Sequence, residues 1–271
     1  MPLYAYPEKG EHEIVFLAKV AILRLGRWLR WLSTARSFAR DFCGQMPVSD
    51  VRVSFPFLVF DHSTPLIRDL KGAQYYLQYN KITNLKLACA KLDGLVLRPG
   101  KVFSFWYLVG PTSKRKGYLE GIEFRNGKVS SGIGGGLCQL SNMLYWAALH
   151  LNMDIVERHR HSYDFFPDSH RTQPFGTGAT VFYNYVDLQF RNPHSITFLF
   201  RLSVTETQLV LEVYADKEPD FRVQVIETDH RFIEENGMKL RCNRIHRLVT
   251  DKTGRTIKAE TVAENRAIVL Y

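Results

Sequence analysis

A chain of 271 residues, 45% hydrophobic and 13% aromatic, can bury one large core or two modest ones, and this composition excludes a disordered protein. The formal charge of +9 suits an anionic membrane surface or an anionic polymer such as cell wall; with no zinc-finger spacing and no RNA-recognition signature, nucleic acid is not an expected partner. Cys43, Cys89, Cys138 and Cys242 lie far apart and form no CxxC pair, so they read as free thiols and not as a metal ribbon or a disulfide scaffold.

The opening segment, MPLYAYPEKGEHE, has early acids and no apolar run, so no secretory leader is expected and the chain is read as cytoplasmic. Residues 14–32, IVFLAKVAILRLGRWLRWL, read as an amphipathic helix. Lys19, Arg24, Arg27 and Arg30 gather on one side, and Leu17, Ala21, Leu25, Trp28, Leu29 and Leu32 on the other. Two readings stay open: a peripheral membrane anchor, with Trp and Arg suited to the headgroup layer, or the preferred one, a helix packed on the domain with a solvated basic face. The uncharged runs are too short to span a bilayer. Further on, Leu85, Leu87, Ala88 and Leu92 predict a helix with Thr83 or Asn84 near its N-cap and Gly94 near its end. LVLRPGKVFSFW then reads as strand, Pro-Gly turn and strand.

The segment Ser131–Met153 carries no charge and opens on Gly132, Gly134, Gly135 and Gly136. Inside a helix each glycine would cost about 1 kcal/mol relative to alanine, so they belong before one, where the backbone must turn sharply or approach another group closely. Leu137, Leu140, Leu144, Ala148 and Leu151 then follow helical spacing, which puts the helix start near Gly136 or Leu137 and Cys138 in its first turn. Free N–H groups and the dipole at that end favour a thiolate and offer an oxyanion site along Gly134, Gly135, Gly136 and Leu137. The competing reading is a buried cysteine acting as a small hydrophobe.

A cysteine nucleophile needs a base, and DIVERHRHSYDFFPD follows the helix closely. If Ile155 to Ser162 is a strand, Glu157, His159 and His161 share a face. Those histidines with Cys138 or His170 give no persuasive third metal ligand, so no metal or other cofactor is expected. Beyond them the chain is β-rich, with turns near Asn192 and Glu206 and a hairpin at Lys252-Thr253-Gly254. The fold class expected is α+β, with a mixed or antiparallel sheet, a central buried helix after the Gly-rich turn, and a β-rich C-terminal half. A basic extension over 1–47, a domain over 48–216 and a β-rich extension over 217–271, packed on the same domain, complete the expected organisation.

GGGLCQLSNMLYW, IVERHRHS, ATV and VDLQFRN, together with the upstream NLKLACAKLDGLVLRPGKVFSFWYLVGP, resemble the VanW family, which is associated with type-B vancomycin resistance. The resemblance implies a cell-wall role: cysteine-dependent acyl transfer of the L,D-transpeptidase kind, or amide hydrolysis, on a peptidoglycan stem peptide or lipid-linked precursor. It implies Cys138 as nucleophile and His161 as base, with His159 second and Glu157 as a candidate third member. Arg158, Arg160 and Gln139 are candidate substrate contacts, the arginines because guanidinium matches a carboxylate. The family often has Asp before the A-T-V segment, where this chain has Gly178; the third role then passes to Glu157 or Asp187, or is lost. The alternative implied is a non-catalytic module that binds wall precursor or a resistance partner.

Overall fold

The structure, a computed structural model, describes residues 12–44, 47–67, 75–125, 127–161, 163–165 and 173–271. Among them, the N-terminal part contains α1 (His12–Ser33), β1 (Asp41–Phe42), α2 (Val48–Ser54), β2 (Phe57–Pro65) and α3 (Tyr75–Leu92). The middle holds β3 (Leu95–Leu97), β4 (Val102–Ser104), α4 (Phe105–Val109), β5 (Glu120–Arg125), β6 (Lys128–Ile133) and α5 (Cys138–His150). After β7 (Asp154–Glu157), β8 (Tyr163–Asp164) and β9 (Gln189–Arg191) come β10 (Phe198–Val204) and β11 (Gln208–Ala215), then the long strands β12 (Phe221–Glu235), β13 (Met238–Asp251) and β14 (Thr256–Val269). The fold is α+β with a β-rich C-terminal half.

One antiparallel sheet runs β1–β3–β10–β11–β2, and a smaller one runs β4–β9–β7. Strict alternation along QLVLEVYA sends Leu209, Leu211 and Val213 into the core from β11. The helix α5 is the centre of that core: Leu140, Met143, Leu144, Ala147 and Ala148 are all fully buried, as the apolar run around Cys138 requires. Residues 221–269 form the meander β12–β13–β14, which pairs back to the body through a parallel contact of β14 with β8. No described helix is long and apolar enough to cross a membrane.

Three local expectations are corrected. The helix expected to begin near Thr83 or Asn84 begins at Tyr75, so neither caps it. Asn84 is fully buried instead; its carboxamide donates to the carbonyls of Leu119 and Gly135 and accepts from Leu119 N–H. A polar residue before an apolar stretch reads as a cap, and only tertiary contacts distinguish it from a buried strut. The strand expected over 155–162 ends at Glu157, so the shared face of Glu157, His159 and His161 does not form. The helix expected over 14–32 is present and Lys19, Arg24 and Arg30 are solvated, but Arg27 is buried, and the apolar residues Leu25, Trp28, Leu29 and Leu32, expected to pack on the domain, are exposed.

Candidate functional site

Strand β6 delivers the chain into a turn at Gly134–Leu137, and α5 starts at Cys138. Two glycines make the turn possible. Gly136 has φ 94°, and a Cβ there would sit 2.1 Å from Cγ of Lys81; a Cβ on Gly135 would lie 2.3 Å from the carbonyl oxygen of Gly121. The turn is therefore wedged between α3 and β5, and the helix start is fixed in position. Gln139 secures it from the other side, donating from Nε2 to Thr64 Oγ1 at 2.9 Å and to the Pro65 carbonyl at 3.0 Å.

A second segment, Gly176–Val181, crosses the first two turns of α5. Ala179 N–H donates to Asn142 Oδ1 at 2.7 Å, Ser141 Oγ donates to the Ala179 carbonyl at 2.7 Å, and the Cys138 thiol meets the Val181 carbonyl at 4.0 Å. Arg158 clamps this segment from Nε to the Gly178 carbonyl at 2.9 Å and from Nη2 to the Gly176 carbonyl, with its guanidinium 4.9 Å from the Tyr145 ring centre. Thr180 Oγ1 lies 2.9 Å from Nδ1 of His161, and Asn142 Oδ1 lies 3.4 Å from its Nε2. Because Asn142 Oδ1 is pinned as an acceptor by Ala179 N–H, Nε2 carries the imidazole proton and the Thr180 hydroxyl covers the Nδ1 lone pair.

Cys138, Gln139, Asn142, Arg158, His161 and Thr180 line one cavity of about 410 Å³, together with the Gly134–Leu137 turn. Burial there sets both protonation states. It pushes the Cys138 thiol up to about 11, against a smaller lowering by a backbone hydrogen bond from Val181. It also pulls His161 down to about 4, helped by the charge of Arg158. The resting pair is neutral thiol and neutral imidazole, and desolvation outweighs the thiolate preference expected from the helix start. Among the described residues, no hydrogen bond joins Cys138 Sγ to His161 or His159. The N–H groups of Gly134 and Gly135 are engaged by the carbonyls of Leu119 and Gly132, so the backbone donors left at this turn are those of Gly136, Leu137 and Cys138.

The remaining sequence candidates lie elsewhere. Glu157 takes a two-point contact from Arg27 of α1, accepts Asp187 N–H at 3.0 Å, and meets His159 Nε2 at 3.1 Å. Burial would raise its carboxyl, but the hydrogen bonds from Arg27 and His159 and the Arg27 charge outweigh it and hold the group at about 2. Arg160 donates to the Glu264 carbonyl of β14. Asp187 is fully buried and accepts from Ser104 Oγ, Trp106 N–H, Leu188 N–H and Gln189 Nε2. Neither Glu157 nor Asp187 is among the groups hydrogen-bonded to the imidazole of His161. The residues that hold it are Asn142 and Thr180, which the sequence reading passed over; the available signal was that Asn142 falls one turn after Cys138 on the same helix face. His170 lies outside the described residues.

The family model described as "VanW like protein" matches residues 80–214. The chain is 31% identical over 219 residues to the Vancomycin B-type resistance protein VanW of Enterococcus faecalis (strain ATCC 700802 / V583), covering 80% of each protein. The chain belongs to the VanW family. It is also 29% identical over 146 residues to the uncharacterized protein YoaR of Bacillus subtilis (strain 168), covering 53% of this chain and 46% of that one. No solved structure matches the chain. The family match spans the glycine turn, all of α5, and the segment from Arg158 to Val181. Gly178 adjoins the imidazole: a Cβ there would lie 2.9 Å from Asn142 Oδ1 and 3.0 Å from His161 Cδ2.

Proposed function

We propose that this VanW-family protein carries out cysteine-dependent acyl transfer, or amide hydrolysis, on peptidoglycan-type peptides, in the setting of glycopeptide resistance named for its Enterococcus relative. The observation that carries the reading is the shared cavity of Cys138 and His161 beside a helix start. In the reaction, Sγ attacks a carbonyl carbon and the thiol proton passes to the imidazole. The oxyanion is received by N–H groups of Gly136, Leu137 and Cys138, and His161 returns the proton to the leaving amine. The thioester then passes its acyl group to an amine or to water, which regenerates the thiol. Asn142 holds the ring through Nε2 during both transfers, and the Thr180 hydroxyl must release Nδ1 before that nitrogen can take the proton. Arg158 lines the same cavity with Arg24, Lys81 and Arg266, and these cations supply positive charge near a substrate carboxylate.

A second reading, a binding module for wall precursor, is favoured by one observation: the thiol hydrogen bond goes to the Val181 carbonyl and not to an imidazole. Intact-mass spectrometry after incubation with stem-peptide acyl donors separates the two. An adduct on the native protein that is absent from Cys138→Ala and slowed by His161→Ala supports catalysis. Saturable binding of the same peptides without any adduct supports the module.

A further inference from the structure

The helix α1 touches the body along one narrow seam. Phe16, Val20, Leu23, Arg27 and Trp31, recurring every three or four residues, are its buried or half-buried positions. Arg27 fixes the seam through Glu157, Arg24 donates to the Tyr183 carbonyl, and Trp31 packs edge-on against Tyr107. The opposite side faces outward and is almost wholly apolar: Ile14, Ile22, Leu25, Trp28, Leu29 and Leu32 are each more than half exposed. Exposed Lys19 and Arg30 run along one border of this strip and exposed Arg24 along the other, and the chain has no acid between Lys19 and Arg40.

We propose that α1 seats the protein on an anionic phospholipid bilayer. The apolar strip sinks to the boundary of the acyl chains, and Lys19, Arg24 and Arg30 meet the phosphates. Trp28 stands at the level where an amphipathic ring is most favourable. A helix of 22 residues is roughly 33 Å long and lies in the plane of the interface, since it is not apolar enough all round to cross it. Charge decides between a bilayer and a second copy of the chain. Two such faces packed together would align basic borders with basic borders, whereas anionic lipid complements them. Phe16, Leu17, Val20 and Arg24 also line the cavity that holds Cys138, so docking sets that cavity beside the headgroups. The proposal stands whether or not Cys138 is a nucleophile.

The test uses the full chain with phosphatidylglycerol-containing vesicles against pure phosphatidylcholine vesicles, read by co-sedimentation, with oligomeric state followed by analytical ultracentrifugation. Binding to the anionic vesicles alone, weakened by salt, is the expected result. Leu25→Glu/Leu29→Glu should lower the partition coefficient more than about tenfold with no change in melting temperature, because both side chains are already in water. Lys19→Glu/Arg30→Glu should also lower it and remove the salt dependence. Undiminished binding of the double-Glu leucine variant overturns the proposal. So does a native dimer that this variant disperses while the native protein ignores vesicles.

Discussion

Arg27 and Glu157 join α1 to the body, and the strength of that joint follows from the Glu157 carboxyl. Its pKa falls from an ordinary 4.5 to about 2. A gap of 4.5 − 2 = 2.5 units is worth roughly 3 kcal/mol at about 1.4 kcal/mol per unit. Arg27→Met keeps the aliphatic packing and leaves the carboxylate with only His159 and the Asp187 N–H, so a loss of about 3 kcal/mol is expected near pH 7. Glu157→Gln leaves a buried guanidinium with the Tyr185 carbonyl as its remaining partner. The double variant should therefore lose less than the sum of the singles, with a coupling of about 2 kcal/mol. Since the folded-state value lies below the ordinary one, the stabilisation is complete above about pH 4.5 and disappears as pH falls toward 2. Urea denaturation of the four proteins at several pH values measures both effects. A coupling below about 0.5 kcal/mol, or a gap between native and Arg27→Met that does not shrink below pH 4.5, would refute the reasoning.

The Cys138 thiol should alkylate slowly near neutrality in a protein lacking the other three cysteines, with a rate still climbing beyond pH 9; a midpoint at or below pH 8 would show that the helix start prevails over burial. Gly136→Ala should cost more than about 2 kcal/mol, because the left-handed backbone and the Lys81 side chain both oppose a Cβ. Gly254→Ala, with φ 88° but open space around it, should cost only about 1 kcal/mol, and equal losses in urea melts would contradict the close-approach argument. Gly178→Asp should destabilise alone, through Asn142 and His161, and be better tolerated with Asn142→Thr, which shortens the side chain in its way; a strictly additive pair would show that the two positions do not share that space.

Periodicity and turn chemistry carried much of this fold into view. The glycine turn, the start of α5 at Cys138, the turns near Asn192 and Glu206 and the hairpin at Lys252–Gly254 are local consequences of residue type, and each forms where the pattern puts it. The misjudged features are non-local. Nothing adjacent to Asn84 announces that its carboxamide bridges Leu119 and Gly135. The helical wheel of α1 is silent on which apolar residues dock: Phe16, Val20, Leu23 and Trp31 pack beside Arg27, and Leu25, Trp28, Leu29 and Leu32 stay exposed. That choice is made by Glu157, which lies 130 residues away in the chain and draws Arg27 inward. The same capture removes Glu157 from the cavity, and α1 is left with its apolar side outward.

The site and the helix impose one requirement together. Moving a proton from a thiol pushed up to about 11 to an imidazole pulled down to about 4 is unfavourable in the resting protein. No ion pair therefore stands ready in the resting protein, and the Thr180 hydroxyl still covers the only free lone pair of the base. In the proposed reaction that cost is offset only if charge separation coincides with formation of the oxyanion, when the backbone donors of Gly136 to Cys138 acquire a negative partner. A substrate must then displace the Val181 and Thr180 contacts as it binds. Thr180→Val tests this directly. Freeing Nδ1 should speed adduct formation read by intact mass, because a competitor for the proton is removed while Asn142 still holds the ring; a slower rate would show that the Thr180 contact is needed in the reaction.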